Sequence, residues 1–326
     1  MRQYIKNNLG FLLGLIFTFL VFTLKFPYYI DAPGGINNID ERIKIDGYKS
    51  QGSFNITYIR EYRATIPTLI ISLFNKEWEV IKEEDVLLES EDINDYIKRD
   101  KLFMDEAVSN AIYVGYKKAG KQIKIKKSDL AILYRYEHAK TNLEVGDIIL
   151  EVDGIKITND EEITQITEKH NIGDKVNIKV ENDGKKSDKY ATVIEIEKEK
   201  KLGILLALIN EYETKPKVEI KIEENESGSS GGLIMALAIY NSLIKEDITN
   251  SKVIVGTGTI DINGNVGSIG GVEKKLKSAE NAKADIFLVP NGENYKEAIK
   301  LKKEKNYKIK VVGVSTFDEA LKALKE

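Results

Sequence analysis

The sequence predicts an α+β fold: a mixed α/β part, a small β-rich module and one N-terminal transmembrane helix. Three observations carry that expectation. An uncharged run extends from Leu9 to Leu24. Residues 121–198 hold short alternating strands separated by turn residues such as Gly146-Asp147 and Asp153-Gly154. The C-terminal part alternates helix and strand periods: Val272 to Ala282, Ile286 to Val289, Tyr295 to Lys302, Ile309 to Val314 and Phe317 to Leu324.

Composition narrows the chemistry. With 326 residues, 42% of them hydrophobic, the chain can build two or three cored domains. The net charge of −3 is spread evenly, so no basic face argues for nucleic acid. Cysteine is absent, which excludes disulfides and thiol catalysis. The only histidines, His138 and His170, stand apart and no HExxH motif occurs, so no metal is expected. No GxxxxGK[ST] run occurs either, so neither ATP nor any other cofactor is expected.

The elements follow in order. Arg2 and Lys6 fall in a cytoplasmic N-terminus over 1–8, ahead of a membrane anchor over 9–30. Lys25 can snorkel, and Phe26 to Ile30 suit the lipid interface. Bulky Tyr28, Tyr29 and Ile30 follow where a signal peptide would need small residues, so the anchor reads as uncleaved. Basic residues ahead of the span put the bulk of the chain outside the cytoplasm. Residues 31–44, with Pro33-Gly34-Gly35, read as a juxtamembrane linker, and the alternation of Phe54, Ile56 and Tyr58 predicts a strand. Within 45–120 a long helix carries Ile93, Tyr96, Ile97, Leu102, Phe103, Ala107, Ala111 and Val114, and ends at Ala119-Gly120.

In the module over 121–198, the run Leu143-Glu144-Val145-Gly146-Asp147-Ile148-Ile149-Leu150-Glu151-Val152-Asp153-Gly154 is a turn, a strand and a second turn. A helix near Asp160 to Lys169 and a strand at Val176 to Val180 follow. This module resembles a PDZ domain. The resemblance implies a peptide groove between the helix and an early strand, Leu130 to Tyr136, with Leu130, Ile132 and Tyr134 facing the peptide. A glycine–hydrophobic carboxylate loop is not evident before Leu130.

In the part over 203–326, strands at Ile204 to Ile209 and at Val218, Ile220 and Ile222 lead to Gly228-Ser229-Ser230-Gly231-Gly232. Leu233 to Ile244 is apolar on nearly every side and reads as a buried helix. Val253 to Ile260 and Gly264 to Ile269 read as paired strands joined at Asn263-Gly264. Thr316 and Glu319 suit a capping box on the last helix.

A GSSGG run alone has the composition of a linker. Here a strand enters it and a buried helix leaves, so both ends are pinned. The first N–H groups of that helix have no helical partner and can hold an oxyanion. A serine becomes a nucleophile when a neighbour takes its proton, and a desolvated lysine can do so. Stepping about 100° per residue from Val272 puts Leu276 at about 40°, Ala279 at about −20° and Ala282 at about −80°. Lys275, at about −60°, lies inside this apolar arc, whereas Lys274 and Lys277, at about 200° and 140°, are expected on the solvated face. A lysine on a lysine-rich helix can also simply snorkel.

Residues 203–326 resemble the proteolytic domain of the Lon family. Gly228-Ser229-Ser230-Gly231-Gly232 is similar to the family's G-P-S-A-G motif, with Ser229 in place of proline and Gly231 in place of alanine. Gly256-Thr257-Gly258-Thr259-Ile260 and Val266-Gly267-Ser268-Ile269-Gly270-Gly271 are similar to T-G-E-[IV] and [VL]-x-P-[IV]-G-G, with Thr259 for the glutamate. Ser227 stands where many members have aspartate. The resemblance implies a Ser230–Lys275 dyad, Thr257 in support, and an oxyanion loop at Gly228, Ser229 and Gly231. It also implies a Lon-type, ribosomal-protein-S5-like α/β architecture in which 45–120 packs with 203–326. The whole order is similar to membrane-anchored, PDZ-containing Lon-like proteases: ATP-independent serine endopeptidases with protein or peptide substrates, the lipid bilayer as a partner, and room for a homo-oligomer. The alternative is a membrane-tethered PDZ scaffold whose Lon-like domain has little activity. A signal-peptidase-type Ser–Lys enzyme would keep its serine near the anchor, and Ser230 is far from it.

Overall fold

The computed structural model describes residues 8–325; Arg2 and Lys6 of the expected cytoplasmic N-terminus lie outside the described residues. Helix α1 (Leu9–Thr23) is uncharged and has no buried residue. Its 15 residues measure about 22 Å, against about 30 Å of bilayer hydrocarbon. Among the described residues no helix is long and apolar enough to cross a membrane. The single helix expected over 9–30 is therefore corrected: it ends at Thr23, and strand β1 (Tyr28–Asn38) begins five residues on. Pro27 has no N–H to continue a helix, and Tyr29 and Ile30 are buried in a sheet.

The expected linker over 31–44 is corrected by the same strand, followed by β2 (Ile43–Ile45). Pro33-Gly34-Gly35 is tolerated because the register shifts there, and a Cβ on Gly34 would stand 2.4 Å from the Tyr58 carbonyl. Then come β3 (Ser53–Arg63), α2 (Ile66–Phe74), β4 (Glu79–Lys82), the one-turn α3 (Glu83–Val86) and the long α4 (Ile93–Lys118). Asp92 caps α4, its carboxylate accepting from the N–H groups of Asn94 and Asp95.

The module comprises β5 (Gln122–Arg135), β6 (Ile148–Val152), β7 (Ile155–Lys156), α5 (Asp160–Thr167), β8 (Lys175–Asn182), β9 (Lys185–Thr192), β10 (Ile194–Ile196) and β11 (Glu199–Lys201). Strand β12 (Ile204–Lys215) joins its sheet, in the order β12-β5-β6-β8-β9, and pairs with β5 along its length. The expected boundary at residues 198–203 thus does not part the sheet: the module ends on a strand from the C-terminal region. Leu130, Ile132, Leu143, Val152, Ile163 and Val180 are among its core residues.

The rest is β13 (Val218–Ile220), α6 (Gly232–Leu243), β14 (Val253–Gly256), β15 (Thr259–Ile260), β16 (Val266–Gly267), α7 (Val272–Asn281), β17 (Ile286–Pro290), α8 (Glu293–Lys305), β18 (Lys310–Val314) and α9 (Phe317–Lys325). One sheet, ordered β18-β17-β14-β3-β1-β4, unites both ends of the chain; β3, β14, β17 and β18 run parallel, β1 runs antiparallel between β3 and β4, and β18 and β4 are the edges. On one face α4, α6 and α9 enclose Phe54, Ala111, Val114, Leu237 and Phe317; on the other α7 and α8 cover Val255, Leu276 and Phe287. The single strand expected over Val253 to Ile260 is corrected to two: it breaks at Thr257-Gly258, where Gly258 has φ 152° and donates to the Ser230 carbonyl. At α9, Glu319 N–H donates to Thr316 Oγ1, and the Glu319 carboxylate reaches back to Ser315 N–H.

Candidate active site

The Gly228–Gly232 loop enters α6, and α6 is buried on all sides because α4, β3 and β15 pack around it. That enclosure pins the loop. Gly228 takes φ 85°, a region that favours glycine, and its N–H donates to the Asp100 carbonyl at 2.9 Å. Beyond the serine, Gly232 N–H donates to Ser229 O and Leu233 N–H to Gly258 O. Gly231 allows close approach: a Cβ there would lie 2.8 Å from Ile56 Cδ1 of β3. Ser230 and Gly231 thus stand at the start of α6, where the first N–H groups of a helix have no helical partner.

Helix α7 brings the lysine. Gly271 opens it with φ 67°, and a Cβ there would strike Ile59 of β3 at 2.1 Å. Lys275 is 5% exposed, and its Nζ donates to Ser230 Oγ at 3.1 Å and to Thr257 Oγ1 at 3.3 Å. Thr257, fully buried, donates in turn to the Ser230 carbonyl at 3.2 Å. The three side chains come from three elements and meet at the end of β14. Burial pushes the Lys275 ammonium down from 10.5 to about 8. Some of its population is then neutral near physiological pH and able to accept the serine proton.

The expected contrast with Lys274 is corrected. Lys274 is 9% exposed and paired with Glu79, while Lys277 pairs with Glu77. Strand β1 packs on α7, and Glu77 and Glu79 reach the lysines on the face that the helical wheel left to solvent. The wheel knows only the helix, so it could not anticipate partners supplied from residues 77–79.

The groove residues are corrected too. Leu130 (3% exposed), Ile132 (0%) and Tyr134 (8%) are buried, and β5 is hydrogen-bonded to β6 on one side and β12 on the other. From Leu130 to Ile132 both sides of β5 are taken, so an added peptide strand has no free edge to pair with there. Tyr134 instead donates its hydroxyl to the Glu89 carbonyl, and Arg135 pairs with Asp95 at 2.6 Å, docking the module on the start of α4.

Sequence reasoning missed Asp100. From α4 its carboxylate accepts from the Ser227 hydroxyl at 3.0 Å, so a carboxylate meets the loop from another element where Ser227 itself has none. Burial pushes the Asp100 carboxyl up, while the Ser227 hydroxyl and Arg99 pull it down. In the sequence it sat within Arg99-Asp100-Lys101, which reads as an ordinary charged helix surface. Beside Ser229 opens a cleft of about 360 Å³, lined by Phe103, Glu106, Ala107, Thr259, Ile260 and Val266 among others. Its surface is more apolar than polar, and Glu106, Asn110, Asp261 and Asn265 supply its charged and amide groups. From the sequence, Phe103 and Ala107 mark only the helical spacing of α4. Among the described residues no cluster of His, Cys, Asp or Glu could hold a metal ion.

Comparison with known proteins bears on the same regions. Residues 205–326 match the Lon protease (S16) C-terminal proteolytic domain, and residues 138–193 match a PDZ domain. A Lon protease of Lachnoclostridium phytofermentans is 33% identical over 115 residues, 34% of this chain and 14% of that protein. A Lon protease of Clostridioides difficile is 26% identical over 214 residues, 61% of this chain and 26% of that one. The matches thus span about a quarter or less of these relatives' lengths. A crystal structure of the PDZ domain of an SdrC-like protein from Listeria monocytogenes aligns at 21% identity with a TM-score of 0.23, covering 26% of this chain and 92% of that one.

Proposed function

We propose that this chain, which carries a Lon-type C-terminal proteolytic domain and a PDZ domain, is a serine endopeptidase working through a Ser230–Lys275 dyad. The 3.1 Å approach of Lys275 Nζ to Ser230 Oγ carries the reading. Neutral Lys275 takes the hydroxyl proton as Oγ attacks the scissile carbonyl carbon. The resulting oxyanion is held by N–H groups of the Ser229–Gly231 turn. The Lys275 ammonium then gives its proton to the leaving amine, and the acyl-enzyme is hydrolysed by water with Lys275 again as base. Thr257 holds the lysine; the cleft beside Ser229 takes a substrate side chain. No nucleotide step is needed for this chemistry, and the chain has no GxxxxGK[ST] run to supply one.

The uncharged α1, with no buried residue, supports attachment to a membrane, and Arg2 and Lys6 ahead of it in the sequence favour a cytoplasmic N-terminus with the catalytic bulk outside. A helix shorter than the hydrocarbon is accommodated by local thinning and by snorkelling of flanking residues such as Lys25. Because β12 fills the edge of β5, the PDZ module serves this reading as a rigid arm docked on α4.

The test is direct. Ser230→Ala and Lys275→Ala each lower cleavage of an unfolded protein substrate by at least about 10³-fold while circular dichroism keeps the wild-type spectrum. Cleavage by either variant at the wild-type rate would sink the dyad. A serine-reactive fluorophosphonate that labels Ser230 in the wild type and not in Lys275→Ala separates an enzyme from a scaffold.

A further inference from the structure

The link between β3 and β4 presents apolar surface that the chain does not cover. Helix α2, Ile66-Pro67-Thr68-Leu69-Ile70-Ile71-Ser72-Leu73-Phe74, has no charge and no buried residue. Leu73 and Phe74 are 80% and 84% exposed. The helix is nonetheless well started, with Thr65 N–H donating to Thr68 Oγ1 at 2.7 Å and Pro67 in the first turn. Contiguous uncovered apolar surface of this kind marks a place of contact.

The surroundings say with what. α2 touches α1, which is equally uncharged and unburied, so the two make one continuous apolar surface. Its border holds the Tyr62 and Trp78 rings, 6.3 Å apart, the exposed Tyr28, and the exposed Lys25 and Lys76. Amphipathic rings and lysines around an aliphatic surface match the boundary between hydrocarbon and headgroups. At nine residues α2 is about 14 Å long, too short to cross a bilayer and long enough to lie in its surface.

We infer that α2 lies in the headgroup region of the bilayer that α1 enters, a second contact that fixes the height and tilt of the protease. This rests on the membrane attachment proposed above. Strand β3 sets the height: Ile56 sits against the nucleophile loop and Arg63 leads into α2. Seven residues at about 3.3 Å each keep this end of the serine loop within about 25 Å of the lipid surface. The substrates so selected are polypeptide segments close to the membrane.

Trp78, four residues past α2, is the only tryptophan in the sequence, so its fluorescence reports this site alone. The full chain is reconstituted into phosphatidylcholine–phosphatidylglycerol vesicles with and without lipids brominated near the headgroup. The inference expects the chain to float with the vesicles and Trp78 to be quenched by the bromolipid. Leu73→Asp/Phe74→Asp, at positions too exposed to disturb folding, should still float and lose most of that quenching while cleaving a soluble peptide at the wild-type rate. A chain that does not float overturns the attachment itself. Flotation with unquenched Trp78 leaves α1 attached and overturns the role of α2. Flotation with Trp78 shielded from both bromolipid and aqueous iodide, together with a crosslinked dimer, overturns it in favour of a second copy of the chain.

Discussion

In the proposed dyad, Lys275 is the residue whose environment decides the chemistry. Burial lowers its pKa to about 8, so the fraction able to accept a proton rises tenfold per pH unit below that value and levels off above it. The kcat/KM profile is expected to follow, with an acidic limb centred near pH 8. The same shift has a thermodynamic face. Between about pH 8 and 10.5 the unfolded chain holds the lysine proton more tightly than the folded one, so stability rises with pH across that window. Below it the folded state carries the full penalty of a buried ammonium. Lys275→Met is therefore expected to raise the unfolding free energy by about 2–3 kcal/mol at pH 7. In denaturant titrations the gap to wild type closes as pH approaches 10.5. Gly231 shows a second dependence at this scale. Its replacement by alanine presses on Ile56 and is expected to lower kcat with a loss of about 1 kcal/mol, and Ile56→Val in the same chain to recover most of both.

Helix α4 is the element that joins the parts. Asp95 at its start pairs with Arg135 of the module, Asp100 holds the serine loop through Ser227 and Gly228, and Asn110 donates to the Ile260 carbonyl beside the cleft. Asp100→Ala removes the carboxylate that ties the loop from outside. The expected result is a fall in kcat of about tenfold with KM little changed, since the loop loses position and not substrate contacts. Steady-state kinetics on one peptide checks it. How far α4 could be read from the sequence is instructive. Its span was legible from helical spacing because Ala107, Ala111 and Val114 recur on one face. Its function was not, because Asp100 acquires meaning only from a loop more than a hundred residues away. Strand β1 escapes the sequence for the opposite reason: Pro33-Gly34-Gly35 has the composition of a linker, and only the bulge opposite Tyr58 makes it a strand.

At the scale of the molecule, the catalytic fold is one domain made from two separated pieces of chain. Phe54, Ala111 and Val114 from the first piece share a core with Leu233, Leu237 and Phe317 from the second, and β3 lies between β1 and β14. A fragment of residues 203–326 would expose all of α6 that α4 and β3 now cover. It is expected to show no cooperative thermal transition by circular dichroism, where the full chain shows one. The module inserted between the pieces is closed by β12, which explains how an insertion can be held rigidly by strands rather than by a hinge.

What the sequence determined by itself was local: the helix and strand periods, the buried faces of α6 and α7, and the spacing that puts Lys275 on the apolar side. Those follow from periodicity, which each element expresses without its neighbours. Only the tertiary structure decided that Lys275 Nζ reaches Ser230 Oγ, that Lys274 is paired with Glu79, that Asp100 serves the loop, and that β12 fills the edge of β5. Each of these depends on elements distant in sequence meeting at one place, and no period within either element encodes where the other will be.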